Sequence, residues 1–480
     1  MPATTNRSAA ALPVLISVFF FWGFVAASND ILIPVFKEKL NLEQWQSQMI
    51  SFAFYVAYTV GSLIYYFISR ATGGDLLNRI GYKNGIALGL VISALGTLLF
   101  YPAAETTSFG MMISGLFIVG LGFSLQQTAA NPLAITIGDP KKGAQRLSLA
   151  GGINNIGTTI GPVVVSLAIF GSLQAGAKLD SLSAVKIPYL ILGAAFILVA
   201  VLFRMSSLPD KVIHEEEAGA GGIQMPDKGN AIAYPQLWMG MIAIFLYVGV
   251  EVSTASNLPE YMRVYLGTPT SEVAPYVSLF WASLMIGRWT GAVGAFDLKA
   301  GTRKLLNVLL PYAAFGVFLL VNRIASHDLT PFYVYALVIV TIIIADIISG
   351  GNPARQLVIF SACGIAALII GMMATGMLSV YAFISVGLFC STLWPCIFTL
   401  AIAGLGRHTN QGSGLLIMMI MGGGFISLLQ GWVAGDDLLG IRFSYVIGVL
   451  CFLYLAFYGW KAGRILSSAG IHYDRKESAH

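Results

Sequence analysis

Charge is scarce in this chain. Asp, Glu, Lys and Arg make up only 10% of its 480 residues, whereas an ordinary soluble domain carries roughly a quarter. Length alone would suggest about three soluble domains, but a chain that is 57% apolar lacks the polar surface to cover them. The composition therefore implies a membrane protein. Cysteine is also rare. The four cysteines, Cys363, Cys390, Cys396 and Cys451, lie inside apolar stretches, at spacings that suit neither a zinc site nor a disulfide framework. They read as packing residues, and no metal is expected. All five histidines, His214, His327, His408, His472 and His480, fall in loops or tails, which leaves no buried imidazole for catalysis or proton relay. Nothing here supports enzyme chemistry or a cofactor. The basic excess, 27 Lys and Arg against 22 Asp and Glu, is scattered in short clusters without interleaved aromatics, so nucleic acid is not an expected partner.

Long apolar runs, by contrast, are abundant. Crossing the hydrocarbon core takes about 20 apolar residues, and fourteen stretches qualify: 12–34, 47–69, 84–103, 108–137, 146–171, 187–208, 237–258, 273–296, 304–322, 332–350, 355–376, 378–404, 412–434 and 441–460. The first, LPVLISVFFFWGFVAAS, is too long and too weakly charged upstream for a cleaved signal peptide, and reads as an uncleaved first helix. Positive residues collect in cytoplasmic loops. With the N-terminus inside, 20 of the 27 Lys and Arg fall on cytoplasmic segments, which implies an even span count and cytoplasmic termini. The polar loop from about Ser206 to Tyr234 contains three consecutive glutamates, a solvated charge run, followed by Gly219-Ala-Gly-Gly222. It has the composition of a linker between two bundles, at 1–208 and 236–480, with 209–235 between them.

Polar groups inside the spans carry the functional reading, because an ionisable residue at the centre of a span costs about 2.5–3.5 kcal/mol on insertion scales. Asp30 ends the first span, with Ala27, Ala26 and Gly23 on the same narrow helix face. Such a carboxylate either faces a cavity and exchanges a proton, or is simply hydrated near the outer membrane end. Glu251 sits deeper, near the middle of the seventh span, as a solute- or ion-binding group or as a structural hydrogen-bonding group. Asp346 is read as a boundary residue near the cytoplasmic end of its span.

A second set is uncharged. Asn29 precedes Asp30, and Gln126, Gln127 and Asn131 occupy the fourth span, where Pro132 frees a backbone carbonyl one turn earlier. Asn154 and Asn155 lie in the fifth span beside Thr158 and Thr159. Amides both donate and accept, as a neutral polyhydroxylated solute requires, although they also join helices to each other in bilayers. Trp281 and Trp394 could offer ring faces to the C–H face of a sugar, or serve as packing.

Several segments, taken together, resemble the fucose-galactose-glucose:proton symporter family of the major facilitator superfamily. They are Phe20-Phe-Trp-Gly-Phe-Val-Ala-Ala-Ser-Asn-Asp30-Ile-Leu-Ile-Pro34, Tyr101-Pro-Ala-Ala-Glu105, Thr128-Ala-Ala-Asn-Pro132, Arg146-Leu-Ser-Leu-Ala150, Tyr247-Val-Gly249 and Ile286-Gly-Arg-Trp-Thr-Gly291. The superfamily loop motif is degraded here, with Asn78 where an Asp is usual. The resemblance implies an all-α fold of two six-helix bundles, a central sugar site and alternating access. Carried over by position, Asp30 is the coupling acid, with Glu251 as a candidate helper in proton coupling. Gln127 replaces the second acid of the fucose branch and, with Glu251, points to the glucose/galactose branch. Asn154 matches an amide near the sugar, while Gly151 stands where a glutamine is expected.

The family pattern implies twelve spans. The surplus is local, a hairpin inserted at about 297–352 and expected to lie away from the transport path. The expected function is thus proton-coupled hexose symport in a bacterial inner membrane, with a sugar and a proton as small-molecule partners and a monomer sufficient. Two alternatives stay open: sodium as coupling ion, and drug:proton antiport, for which Gly157-Thr-Thr-Ile-Gly-Pro162 is an incomplete motif. A sugar sensor without net flux would be expected to carry a signalling domain, and none is visible.

Overall fold

The computed structural model describes residues 12–25, 44–72, 76–137, 142–170, 183–206, 225–268, 270–296, 298–435 and 437–473. Among these, all regular structure is helical. The order is α1 (Leu12–Val25), α2 (Gln44–Ala71), α3 (Leu76–Ile80), α4 (Tyr82–Leu98), α5 (Phe100–Thr106), α6 (Phe109–Thr136), α7 (Gly143–Phe170) and α8 (Ser183–Met205). After the loop come α9 (Pro235–Leu266), α10 (Thr270–Ala292), α11 (Ala300–Ile324), α12 (Tyr335–Ser349), α13 (Pro353–Met373), α14 (Gly376–Cys390) and α15 (Leu393–Ile402). The last four are α16 (Thr409–Met418), α17 (Gly422–Val433), α18 (Gly440–Phe443) and α19 (Val446–Ser468).

Eleven segments among the described residues are long and apolar enough to cross a bilayer. α7 and α10 are not among them, and α1 is described only over Leu12–Val25. Large apolar side chains point outward along the spans, including Leu198 at 59% exposure and Leu337 at 72%. In water such a surface would aggregate. In lipid it is the solvated face.

The described residues pack as two units. The first comprises residues up to 138, 153–213 and 407–420, and the second 139–152, 214–406 and 421–480. In the first, α4 packs on α6 and α8, α2 packs on α6, and α16 lies against α2 and α6. In the second, α13 packs on α14 and α19, and α10 packs on α14. The pattern of neighbours is therefore the same, once α11 and α12 are set aside. Those two helices fall within the hairpin expected at 297–352. α11 packs on α10 and α12, and α12 packs on α10, α13 and α14. The chain leaves the hairpin through a sharp turn: Gly350 and Gly351 take positive φ of 61° and 72°, which favours glycine. Asn352 then caps α13, accepting from the backbone N–H groups of Ala354 and Arg355, with Pro353 in the first turn. Asp346, read from the sequence as a boundary residue, is tied to α13, accepting from Gln356 Nε2 at 3.1 Å.

Helix contacts in lipid gain no hydrophobic drive, so close backbone approach and polar links have to supply the attraction. In the first unit α1 crosses α7 through two glycines. A Cβ at Gly23 would stand 1.9 Å from the Asn154 carbonyl oxygen, and one at Gly157 would stand 2.2 Å from that of Phe20. The degraded loop motif forms an uncharged link instead of an ionic one: Tyr82 donates to Asn410 Oδ1 at 2.6 Å, and Asn410 Nδ2 donates to Asn78 Oδ1 at 2.8 Å. One expectation is corrected. His408, expected in a loop, ends a 3-10 turn at Gly406–His408 that leads into α16, and it is only 8% exposed, so one imidazole is buried after all. Substituting Gly157→Val is expected to overpack the α1–α7 crossing by about 1–3 kcal/mol and lower the unfolding midpoint in detergent. Gly316→Ala, whose Cβ meets nothing within 4 Å, should be neutral or stabilising by up to about 1 kcal/mol. Equal losses in both variants would show that the crossing is not tight.

Candidate functional site

In the second unit, α9 places Tyr247 and Glu251 one turn apart, and the Tyr247 hydroxyl donates to Glu251 Oε2. Spacing of four residues puts both on one helix face. The Tyr247 ring lies 6.1 Å from that of Trp394, which in turn lies 5.9 Å from Phe398. Trp394 stands at the start of α15 because the helix breaks at Ser391–Thr392. Pro395 has no N–H to give the Ser391 carbonyl one turn back, and that carbonyl accepts from Arg288 Nε at 3.2 Å instead. Arg288 Nη1 also reaches the Gly151 carbonyl at 3.4 Å, and Trp289 Nε1 reaches that of Gly152 at 3.3 Å. Side chains at 151 and 152 would obstruct this, since their Cβ atoms would lie 3.1 Å from Arg288 Cδ and 2.7 Å from Trp289 Cδ1. The Arg288 charge is within electrostatic reach of Glu251. A half-buried carboxylate, guanidinium and indole are thus gathered around a buried phenol, a set suited to gripping hydroxyl groups beside an aromatic face.

In the first unit, Gln127 Nε2 donates to the Tyr58 hydroxyl at 2.9 Å. The Tyr58 ring packs edge-on against Phe54 at 5.3 Å, and Phe54 packs against Phe123 at 5.9 Å. Gln126, expected to bind solute, is corrected to a helix link. It is fully buried, accepts from Trp22 Nε1 at 2.7 Å and donates to Ser93 Oγ at 3.0 Å, so α1, α4 and α6 use both ends of its amide. Asn154 donates to the Phe19 carbonyl at 2.8 Å across the glycine crossing. Asn155 is buried, and its backbone carbonyl accepts from Thr158 and Thr159. Asn131 is buried, and its Nδ2 has no partner among the described residues. The carbonyl that Pro132 frees is that of Thr128, and Ser413 Oγ donates to it at 2.9 Å, as the sequence leads one to expect.

The remaining candidates divide. Asn29 and Asp30 lie outside the described residues. Trp281 is 40% exposed and packs edge-on against Phe280, without a ring contact to Trp394 or Tyr247 among the described residues. The four cysteines are free, and Cys390, Cys396 and Cys451 are buried as packing residues. No group of three or more His, Cys, Asp or Glu side chains that could hold a metal occurs among the described residues. Sequence reasoning missed Tyr58, Tyr247 and Arg288. Tyr247 carried a signal in its spacing from Glu251, and Arg288 carried one in the small pair Gly151-Gly152. Tyr58 carried none, because its partner lies 69 residues away.

Residues 14–351 match the family model of the Major Facilitator Superfamily. The glucose/galactose transporter of Brucella abortus biovar 1 (strain 9-941) is 33% identical over 451 residues, covering 94% of this chain and 93% of that protein. The L-fucose-proton symporter of Escherichia coli (strain K12) is 28% identical over 456 residues, covering 92% and 90%. Among solved structures, the crystal structure of the major facilitator superfamily transporter FucP in the outward conformation superposes with a TM-score of 0.71. It has 24% identity, with 95% of this chain and 99% of that chain covered, a likeness of fold. For the polar residues, Gln126→Ala would leave the Trp22 indole N–H buried without an acceptor, at a cost of about 1–3 kcal/mol. A fall in the unfolding midpoint is expected, and an unchanged midpoint would return Gln126 to the solute-facing groups.

Proposed function

Because the chain belongs to the major facilitator superfamily, it is a multi-pass membrane transporter and not an enzyme, and we propose that it is a proton-coupled symporter of a hexose of the glucose/galactose type. Transport is by alternating access across a bacterial cytoplasmic membrane, with both termini in the cytoplasm. The working unit is a monomer of two bundles, at 1–208 and 236–480, joined by the 209–235 loop.

The observation that carries this reading is the Tyr247–Glu251 pair beside the Trp394 ring. A carboxylate accepts from sugar hydroxyls, and an indole face packs on the sugar's C–H face. The names of the glucose/galactose and fucose-proton relatives support the same cargo class and the same ion. Gln127 supports the glucose/galactose branch.

Asp30 is the proposed proton carrier. Protonating it removes the cost of moving a bare charge through the occluded state, and each charge moved gains about 2.3 kcal/mol per 100 mV of membrane potential. Asp30→Asn is accordingly expected to abolish uphill sugar uptake in proteoliposomes while downhill counterflow persists. Full concentrative uptake by that variant would rule the role out, and replacing sodium with choline separates proton from sodium coupling. Glu251→Gln keeps an acceptor for Tyr247 but loses the charge. Since hydrogen bonds to charged groups are worth roughly 1–1.5 kcal/mol more than neutral ones, sugar affinity measured by calorimetry should fall about tenfold. Unchanged affinity would make Glu251 a structural residue.

A further inference from the structure

The geometry points to Tyr58 as a second hydroxyl-binding residue, held as a hydrogen-bond donor by Gln127. This rests on the sugar-transport reading above and adds which atom of the first unit addresses the cargo, and in which sense.

The direction of one hydrogen bond carries the argument. Gln127 Nε2 donates to the Tyr58 oxygen at 2.9 Å, so the phenol acts there as acceptor and its own proton is left to donate elsewhere. Among the described residues that O–H donates to nothing, although Tyr58 is only 5% exposed. A buried O–H without an acceptor is costly, so the described residues leave this group with a proton to give. The Gln127 Oε1 likewise accepts no hydrogen bond among the described residues, and Gln127 is half-buried, at the edge of the packed interior. One donor and one acceptor side by side match a sugar hydroxyl, which both accepts and donates. Phe54 packs edge-on against the Tyr58 ring and helps hold it in place.

Gln127 is then a positioning residue as well as a contact. A carboxylate in its place can only accept, so it would draw the Tyr58 proton to itself and turn the phenol oxygen into an acceptor. The identity of residue 127 thus sets whether Tyr58 gives or receives a hydrogen bond.

The test compares monodeoxy and monofluoro glucose analogues, one ring position at a time, by affinity for purified full-length protein. A fluoro substituent still accepts a hydrogen bond, while a deoxy position neither donates nor accepts. At one ring position the wild type is expected to bind the fluoro analogue up to about tenfold more tightly than the deoxy analogue. Tyr58→Phe should bring the two analogues level at that position and leave the other positions unchanged. Gln127→Glu should also erase the difference, with Tyr58 intact. Unfolding midpoints of both variants identify a folding defect, and Gln127→Ala, which leaves Tyr58 its proton, should keep the fluoro preference. If hexoses bind but no position separates fluoro from deoxy, or if Tyr58→Phe retains the difference, the inference fails while the transport reading stands. If no hexose binds the wild type, the transport reading itself fails.

Discussion

The hydrocarbon interior offers no water to a peptide group, so every backbone N–H and C=O in the spans has to find a partner within the protein. That constraint makes the described residues helical, and it also decides what happens where a helix fails. Pro132 in α6 and Pro395 in α15 each withdraw the N–H owed to a carbonyl one turn earlier. Each freed carbonyl takes a side-chain donor from another helix: Ser413 for Thr128 and Arg288 for Ser391. A local defect in the sequence thereby becomes a tertiary link. In the second case it holds a guanidinium inside the bundle, within electrostatic reach of Glu251.

Polar side chains in these spans serve two competing purposes, and hydrogen-bond partners separate them. Gln126 and Gln127 are adjacent in sequence and identical in chemistry. Gln126 has both amide ends consumed by neighbouring helices, whereas Gln127 spends only its nitrogen, on Tyr58. A successive pair on a helix faces directions about 100° apart, so one points into the packed junction of α1, α4 and α6 and the other to its edge. Asn154 stands with Gln127 in this respect: its nitrogen is spent on the Phe19 carbonyl at the α1–α7 crossing, and its Oδ1 accepts no hydrogen bond among the described residues.

α11 and α12 stand outside the neighbour pattern that the two units share. α11 and α12 enter after α10 and hand the chain to α13 through the glycine turn and the Asn352 cap. The neighbours of α13, α14, α19 and α10 then repeat those of α4, α6, α8 and α2.

Membrane class, helical fold and superfamily were legible in the sequence, because each depends on runs of apolar residues or on motifs contiguous along the chain. The carbonyl freed by Pro132 was legible for the same reason, being one turn away. What the sequence could not decide was which polar side chains are already satisfied. Gln126 read equally as a solute group or a helix link until Trp22 and Ser93 were seen to take both ends of its amide, and Tyr58 did not read as a functional group at all. The side-chain hydrogen bonds between helices described above join residues as far as 332 positions apart, and only the packing of helices against one another determines which donors and acceptors are spent within the fold.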